Sequence, residues 1–392
     1  MSTTRTPRLE PAEPLPAPPR YGTADLSVVM TSAAAVLGVP GFSNVLSLPQ
    51  ARKVCVVMAD GLGKSLLKAR SGHAPFLRSK MENSRTLDAA FPTTTAASLS
   101  SLGTGVSPGQ HGIVGYDVVD PAVPRVVNML GNWPEDLDPK VWQPYPTVMA
   151  QAAEHIHVAT ASLPRFSDSA LTRASLQGGE FLAAGTPQAR VRAATEALAA
   201  SDRSLVYCYW NELDKAGHKF GSDSSQWLSE LEELDANMRT LAGRVPAGTL
   251  LLLVADHGMV DVRPEARIDY SQYPELLDGI ALTAGEPRAV QLHFSSEATA
   301  ATRAALIRNW KEAFGAKAWV ITREEAIEHG YFGDVDERVK NRIGDVLILA
   351  SGELALFDGR RVSPGALNMI GQHGSMTRAE KEVPLLTLAT PK

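Results

Sequence analysis

Acidic residues and histidines follow three short apolar runs of this chain. Asp60 comes directly after KVCVVMA, and Asp256 and His257 come directly after TLLLLVA. Asp214 and His218 lie just beyond SLVYCYW, four residues apart, so they share one face if this segment is helical. Carboxylate oxygens and imidazole nitrogens form a ligand set that zinc accepts and that manganese or iron tolerates. The pattern therefore predicts divalent metal binding.

A second stretch, FPTTTAASLSSLGTGVSPGQHGIVGY, places three threonines ahead of a predicted helix start, at residues 93–95. Hydroxyls in this position commonly cap a helix. A threonine can also act as a nucleophile when a neighbouring group activates it. The residue types alone do not separate these two roles.

The elements that would position these side chains are predicted strands. KVCVVMADG, SLVYCYWNELD, TLLLLVADHG and DVLILASG are continuous apolar runs of strand length, separated by helical patterns at 64–70, 146–154, 186–201 and 224–243. Such runs are typical of a mostly parallel sheet that is buried on both faces. Ligands bind such sheets beyond the carboxyl ends of the strands, where three of the carboxylates are predicted to lie.

The chain is predicted to divide into an arm, a core and an insertion. Residues 1–22 are Pro-rich and polar, which predicts a disordered or extended N-terminal arm without the apolar core of a secretion signal. Residues 262–370 read as an inserted α+β cap, with strands at RAVQLHF and KAWVIT. Residues 23–261 and 371–392 then form the metal-binding catalytic core.

Composition narrows the class of function. Of 392 residues, 44% are hydrophobic and 21% charged, and the formal net charge is −5. The sequence therefore lacks the excess of positive charge that is typical of proteins that bind a nucleic-acid polymer. No apolar stretch reaches the length of a membrane span. The two cysteines, Cys55 and Cys208, lie inside apolar runs, which predicts buried free thiols and a cytoplasmic protein.

Five motifs in order resemble those of the alkaline phosphatase superfamily, and within it the type I nucleotide pyrophosphatase/phosphodiesterase family. They are MADGLGKSLL, the threonine stretch quoted above, ELDKAGHKFG, VADHGMVDV and GQHGSMT, and the resemblance runs from about residue 51 to the C-terminus. It implies an α/β fold: an alkaline-phosphatase-like three-layer sandwich with a mostly parallel central sheet and a smaller inserted α+β cap.

The resemblance also implies two divalent metal ions, with zinc expected and manganese as the alternative. The implied ligands are Asp214, His218 and His373 for one ion, and Asp60, Asp256, His257 and Thr95 for the other.

By the same motif match, Thr95 is the nucleophile and forms a covalent phospho-threonine, since it stands nine residues before Thr104 of a Thr-Gly pair. Thr93 and Thr94 are then expected to be capping and packing residues. Tyr116 replaces an Asn that commonly holds a phosphate oxygen in this family, and we assign Tyr116 and Lys64 as substrate-binding residues.

The implied activity is cleavage of phosphodiester or nucleotide pyrophosphate bonds in a small substrate. A phosphomonoesterase or phosphonate hydrolase with the same metals is the alternative within the superfamily. A non-catalytic metal-binding protein is the alternative of another class, although such a protein should have lost a ligand or the nucleophile. The sequence leaves the oligomeric state undetermined.

Overall fold

The computed structural model describes residues 14–363 and 365–391. Residues 1–13 of the predicted arm therefore lie outside the described residues. Residues 14–20 form neither helix nor strand, and they run against the folded body of the protein.

Seventeen strands lie among the described residues. Numbered in chain order they are β1 Lys53–Ala59, β2 Arg85–Asp88, β3 Asp117–Asp120, β4 Arg125–Asn128, β5 His157–Ser162, β6 Glu180–Ala183, β7 Ser204–Trp210, β8 Thr249–Val254, β9 Val260–Asp261, β10 Arg267–Asp269, β11 Ile280–Glu286, β12 Ala289–Phe294, β13 Ala318–Thr322, β14 Val346–Ala350, β15 Ala355–Phe357, β16 Gly371–Gln372 and β17 Glu382–Ala389.

The same part of the chain contains fourteen α-helices. They are α1 Ser27–Val36, α2 Lys64–Ala69, α3 Pro75–Met81, α4 Thr95–Thr104, α5 Pro108–His111, α6 Pro139–Trp142, α7 Val148–Ala153, α8 Pro187–Ala199, α9 Glu212–Phe220, α10 Ser225–Arg244, α11 Ala300–Phe314, α12 Arg323–Glu328, α13 Glu337–Lys340 and α14 Arg378–Lys381. None of the helices among the described residues is both long and apolar enough to cross a membrane.

The central sheet has seven strands in the order β2-β17-β8-β1-β7-β5-β6. Neighbours from β8 to β6 are parallel, and β17 runs antiparallel to both β8 and β2. Every residue of β7 and β8 is buried, as the continuous apolar runs predicted. The mostly parallel sheet expected from the sequence is confirmed.

Two groups of helices cover this sheet and complete the three-layer sandwich. Helices α3, α8, α9 and α10 form one group, in which α10 contacts the other three and α8 contacts β1, β5 and β7. Helices α1, α4 and α7 contact one another and form the second group, with α7 against β5. The four predicted helices of the core are confirmed as α2, α7, α8 and α10.

A second sheet of six strands has the order β13-β14-β12-β11-β3-β4 and is antiparallel throughout. The run DVLILASG forms β14 of this sheet, so its assignment to the mostly parallel sheet was wrong. All five residues of β14 are buried, like those of the central strands, and an apolar run does not reveal which sheet buries it.

The second sheet joins the main body to the outer helix α11. Leu347 and Leu349 point into the main core, whereas Val346 and Ile348 alternate with them and pack with Trp310 of α11. The predicted limits of the cap, 262–370, stay a prediction. The sheet extends beyond them because it also includes β3 and β4.

Candidate metal centre

Sheet topology brings the predicted ligands together. Strands β8, β1 and β7 are adjacent and parallel, so Asp256, Asp60 and the start of α9 all emerge at the same edge. Thr95 is the first residue of α4, and His373 follows β16. Residues from five separate segments therefore converge at the carboxyl ends of three strands.

The first cluster centres on Asp214. Its Oδ1 atom lies 3.3 Å from Nε2 of His218 and 3.9 Å from Nε2 of His373. Asp214 and His218 both belong to α9, so the predicted helical spacing holds despite the intervening Gly217. A Cβ atom at Gly217 would lie 2.3 Å from Sδ of Met259, which explains why a glycine stands inside this helix.

The second cluster centres on the imidazole of His257. Its Nε2 atom lies 3.4 Å from Oδ1 of Asp60, 3.4 Å from Oδ2 of Asp256 and 3.1 Å from Oγ1 of Thr95. Ligand-type atoms of Asp60, Asp214 and His257 also lie within 4.8 Å of one another. The two clusters are therefore contiguous through Asp214, and the Thr95 hydroxyl belongs to the second one.

Each of the three imidazoles is oriented by a backbone carbonyl at Nδ1. The pairs and distances are His218 with Gly371 at 2.7 Å, His257 with Gly258 at 2.8 Å, and His373 with Thr93 at 2.8 Å. A carbonyl oxygen only accepts a hydrogen bond, so Nδ1 carries the proton and Nε2 presents its lone pair to the cluster. This is the tautomer that a metal-binding histidine needs.

Four buried carboxylate oxygens among the described residues have no hydrogen-bond partner, and besides Glu286 Oε1 they are the cluster atoms Asp60 Oδ1, Asp214 Oδ1 and Asp256 Oδ2. The three cluster atoms matter here. These are the same atoms that face the Nε2 atoms. Burying a carboxylate oxygen without a partner costs free energy unless a cation or a donor compensates it. The donor set and its unpaired atoms thus fit divalent cations at this position.

The second oxygens of Asp256 and Asp60 are held by the protein. Oδ1 of Asp256 accepts hydrogen bonds from the backbone N–H groups of Gly61 and His257, both at 3.0 Å. Oδ2 of Asp60 accepts a hydrogen bond from the hydroxyl of Tyr209. These two carboxylates are therefore each fixed through one oxygen and leave the other free for a ligand.

The pKa shifts reflect an uncompensated charge cluster. Burial, together with the nearby carboxylates of Asp256 and Asp214, raises the pKa of Asp60 well above its ordinary value. Burial, followed by the imidazoles of His257 and His218, lowers the pKa of His373 well below its ordinary value. Cations placed among these groups would reverse the carboxylate shift, because they favour the ionised form.

A cleft of about 200 Å³ opens beside the clusters. Asp60, Thr95 and Asp214 line its inner end. Its apolar wall consists of Leu99, Leu130, Phe166, Leu171, Leu176 and Phe181. The cleft therefore connects the polar centre with an apolar chamber of small-molecule size.

Polar side chains also line this cleft, among them Asn211, Tyr207 and Lys215. Oδ1 of Asn211 and the hydroxyl of Tyr207 are buried and have no hydrogen-bond partner among the described residues. Lys215, which follows Asp214 on α9, contributes a cationic side chain. The sequence analysis missed these three residues and Tyr209, because it treated SLVYCYW only as an apolar run. The alternation of Tyr207 and Tyr209 was the available signal, since residues i and i+2 of a strand share a face.

The two predicted substrate-binding residues lie elsewhere. The Nζ atom of Lys64 donates a hydrogen bond to the hydroxyl of Thr86, on an edge strand of the central sheet. The side chain of Tyr116 is 39% exposed, and neither residue lines the cleft. Their assignment as substrate-binding residues stays a prediction.

The neighbouring threonines do not cap α4 through their side chains. Thr94 occupies the N-cap position without a side-chain hydrogen bond to the helix. The hydroxyl of Thr93 instead donates to the carbonyl of Ser375 at 2.8 Å. Thr94 is thus the N-cap residue as expected, but neither threonine caps the helix with its hydroxyl, and their burial agrees with packing.

A mostly parallel sheet with carboxylates, imidazoles and a threonine at its carboxyl edge defines an α/β protein of the alkaline-phosphatase-like class. The chain belongs to the type I phosphodiesterase / nucleotide pyrophosphatase family, whose model matches residues 54–376. Human ectonucleotide pyrophosphatase/phosphodiesterase family member 5 is 23% identical over 247 residues, which are 61% of this chain and 51% of that protein. The chain thus aligns with about half the length of this curated relative.

Solved structures share the fold. Murine ectonucleotide pyrophosphatase/phosphodiesterase 5, in an inactive form in complex with AMP, has a TM-score of 0.68 and 19% identity, over 87% of this chain and 88% of that chain. Phosphonoacetate hydrolase from Sinorhizobium meliloti 1021, in complex with phosphonoformate, has a TM-score of 0.65 and 20% identity, over 88% of this chain and 91% of that chain.

Proposed function

We propose that this protein is a metal-dependent hydrolase that cleaves phosphodiester or nucleotide pyrophosphate bonds in a small substrate. The observation that carries the proposal is the cluster of three unpartnered carboxylate oxygens and three Nε2 atoms, with the Thr95 hydroxyl 3.1 Å from Nε2 of His257. Membership in the type I phosphodiesterase / nucleotide pyrophosphatase family supports the same reaction class.

Two groups of residues would hold two divalent ions. Asp214, His218 and His373 form one group, and the residues around His257 form the other. Zinc suits this mixture of imidazole and carboxylate, and manganese is the alternative. When bound, such ions stabilise charge on phosphoryl oxygens and lower the pKa of a coordinated hydroxyl.

Thr95 is the proposed nucleophile. Its deprotonated Oγ1 atom attacks phosphorus, the bond from phosphorus to the leaving oxygen breaks, and a phospho-threonine remains. Water then cleaves this ester and restores the Thr95 hydroxyl. The position of Thr95 at the first residue of α4 supports this role, because unpaired backbone N–H groups at a helix N-terminus stabilise phosphate.

The cleft defines the proposed substrate. Its apolar wall suits an organic ester group, while Lys215 supplies positive charge near the reacting centre. We propose Lys215 and Asn211 as substrate contacts in place of Lys64 and Tyr116, because the former two line the cleft. A nucleotide is a suitable candidate, since the murine relative has been observed with AMP.

A phosphonate hydrolase or phosphomonoesterase is the second candidate. It is supported by the fold shared with a phosphonoacetate hydrolase and by the cationic side chain of Lys215, which suits a second negative charge on the substrate. A non-catalytic metal-binding protein is less well supported. Every implied ligand and Thr95 are present and lie together.

We also propose that the protein is cytoplasmic. Cys55 and Cys208 are buried and unpaired, as predicted. Free thiols of this kind are compatible with a reducing compartment.

The test compares Thr95→Val with Thr94→Val in protein purified without chelator. Both changes remove one hydroxyl and keep the branched shape, but the hydroxyl of Thr94 has no partner and does not contact His257. Turnover of a bis-aryl phosphodiester should fall by about 10³-fold or more in Thr95→Val. It should change little in Thr94→Val, and elemental analysis should find divalent metal in both.

Each outcome decides between the candidates. Faster release of the aryl alcohol from the diester than from an aryl phosphomonoester supports the phosphodiesterase hypothesis. Faster release from the monoester supports the second candidate. Full turnover in Thr95→Val would contradict the nucleophile assignment. Bound metal with no turnover of either ester would favour the non-catalytic alternative.

A further inference from the structure

The N-terminal arm contacts three separate parts of the folded protein, at Tyr331, Lys381 and Asp88. The carbonyl of Pro16 accepts a hydrogen bond from the hydroxyl of Tyr331, at 2.9 Å, in the segment after α12. The carbonyl of Ala17 accepts one from Nζ of Lys381, also at 2.9 Å, at the end of α14. These residues precede the region that matches the family model, residues 54–376.

Arg20 fixes the register of the arm. Its backbone N–H and its Nε atom donate to Oδ2 of Asp88, at 2.9 and 2.8 Å, and its Nη2 atom lies 3.2 Å from Oδ1. The carboxylate of Asp88 is almost fully buried at the end of β2. Charge-assisted hydrogen bonds in this forked geometry are directional, so they determine where the next residue, Tyr21, lies.

Tyr21 connects the arm to the threonine loop. Its hydroxyl accepts a hydrogen bond from the backbone N–H of Phe91 at 3.0 Å and donates one to the carbonyl of Tyr331 at 2.8 Å. The ring of Phe91 is fully buried against the rings of Tyr331 and Phe332, with centroids 5.3 and 5.0 Å apart. Without Tyr21, the Phe91 N–H group would lose its acceptor in an apolar setting.

The opposite side of the same loop is held by the segment that carries His373. The N–H group of Thr93 donates to the carbonyl of Gly374, and the N–H group of Gly374 donates to Oγ1 of Thr93, both at 3.0 Å. The carbonyl of Thr93 receives the Nδ1 proton of His373. The four residues that lead into Thr95 are thus held from two sides.

We propose that Tyr21 is a positioning residue for the active-site threonine. Its hydroxyl holds Phe91 in place, and thereby sets the position of Thr95 relative to His257. This inference rests on the proposed function where turnover is the readout. Displacements of about 1 Å can cost about a hundredfold in rate when a nucleophile must meet a fixed geometry.

The composition of the arm favours this role. Pro14, Pro16, Pro18 and Pro19 restrict the backbone before it docks, so less conformational entropy is lost when the arm binds. A restricted arm also transmits the anchoring of Arg20 to Tyr21 more rigidly than a flexible one. The prolines therefore serve the positioning of Tyr21 as well as the docking itself.

The experiment compares Tyr21→Phe with Tyr331→Phe in the full chain. Tyr21→Phe removes the bond to the Phe91 amide and the bond to the Tyr331 carbonyl, whereas Tyr331→Phe removes only a bond to the arm, at Pro16. Two readouts are measured: kcat and KM for the bis-aryl phosphodiester, and hydrogen exchange of peptides that contain the Phe91 amide. Thermal unfolding of both variants controls for general destabilisation.

For Tyr21→Phe we expect exchange at Phe91 about ten-fold faster, because a buried N–H group loses its acceptor. We expect kcat to fall about ten-fold with an unchanged KM, because positioning acts on the reacting atoms rather than on binding. Tyr331→Phe should behave like the parent protein in both readouts.

Unchanged exchange at Phe91 or unchanged kcat in Tyr21→Phe would overturn the proposal. So would equal losses in the two variants, which would indicate that the arm acts through overall stability. If Thr95→Val keeps full turnover, the proposed role of Thr95 as nucleophile fails. Exchange at Phe91 then still tests whether Tyr21 holds the loop.

Discussion

At the scale of single residues, the candidate centre depends on the direction of three imidazoles. His218 and His373 give the Nδ1 proton to carbonyls of distant segments, at Gly371 and Thr93, whereas His257 gives it to the carbonyl of its neighbour Gly258. None of these carbonyls is recognisable in the sequence, because any residue type supplies one. The candidate ligands could be read from motifs, whereas the groups that orient them depend on the folded backbone.

His111 provides a prediction at the residue scale. Its Nδ1 atom accepts from the backbone N–H of Ile113 at 3.1 Å, and its Nε2 atom lies 3.1 Å from Oγ of Ser101. Both ring nitrogens are thus held by the protein, which gives His111 a structural role. Burial, and then the charge of Arg338, lowers the pKa of His111 from 6.5 to about 3.

Between these two pKa values the unfolded chain binds a proton that the folded protein does not. The contribution of His111 to stability is therefore complete above pH 6.5 and is lost as the pH falls towards 3. In this range the free energy of unfolding changes by about 1.4 kcal/mol per pH unit when one proton is taken up. His111→Gln should make this slope shallower in urea unfolding at pH 4–6.5, while His155→Gln, at an exposed position, should leave it unchanged. Equal slopes in the two variants would contradict the prediction.

At the scale of elements, the loops that carry the ligands approach one another closely at glycines. A Cβ atom at Gly258 would lie 1.8 Å from the carbonyl oxygen of Ala379 and 3.1 Å from the Cα atom of Gly63. A Cβ atom at Gly371 would lie 2.7 Å from the carbonyl oxygen of Gly217. The segments around His257, His218 and His373 can approach this closely only because these positions lack side chains.

Gly258→Ala should therefore lower the free energy of unfolding by about 1–3 kcal/mol, since backbone must move to accommodate the methyl group. The matched change Gly243→Ala, inside α10 with no atom within 4 Å, should raise it by about 0.5–1 kcal/mol. Denaturant unfolding measures both. A Gly258→Ala variant as stable as the parent would show that the contact is easily relaxed.

The elements themselves were largely predictable. The runs that became β1, β7 and β8, and the helical patterns that became α8 and α10, have the lengths and periodicities typical of these structures. The position of β14 was not predictable, since burial on both faces looks the same in a parallel central sheet and in an antiparallel second sheet.

At the scale of the whole molecule, one buried ion pair joins the second sheet to the segment after His373. Arg288, between β11 and β12, donates from Nε and Nη2 to the two carboxylate oxygens of Glu380, at 2.7 and 2.8 Å. Both side chains are fully buried. Glu380 also accepts from the backbone N–H of Ser375 at 3.0 Å, two residues beyond His373.

Arg288→Met and Glu380→Gln should each lower the free energy of unfolding by about 3–5 kcal/mol, because each leaves a buried partner uncompensated. The loss in the free energy of unfolding should be smaller in the double variant than the sum of the two single losses, since the residues interact directly. The measurement is a double-mutant cycle: chemical unfolding of the parent, of both single variants and of the double variant. Strictly additive losses would show that the pair does not act as a unit.

The sequence by itself determined the class of this protein and which side chains are candidates for metal binding. Motif order and residue type carry that information locally, and Asp60, Asp214 and Asp256 could be placed because strand ends are visible as the ends of apolar runs. Only the tertiary structure decided the rest. It placed Asn211, Tyr207 and Lys215 along the cleft, left Lys64 and Tyr116 outside it, and brought Tyr21 to the Phe91 amide. These relations join residues that are distant in the chain, and a local pattern cannot specify which distant groups will meet.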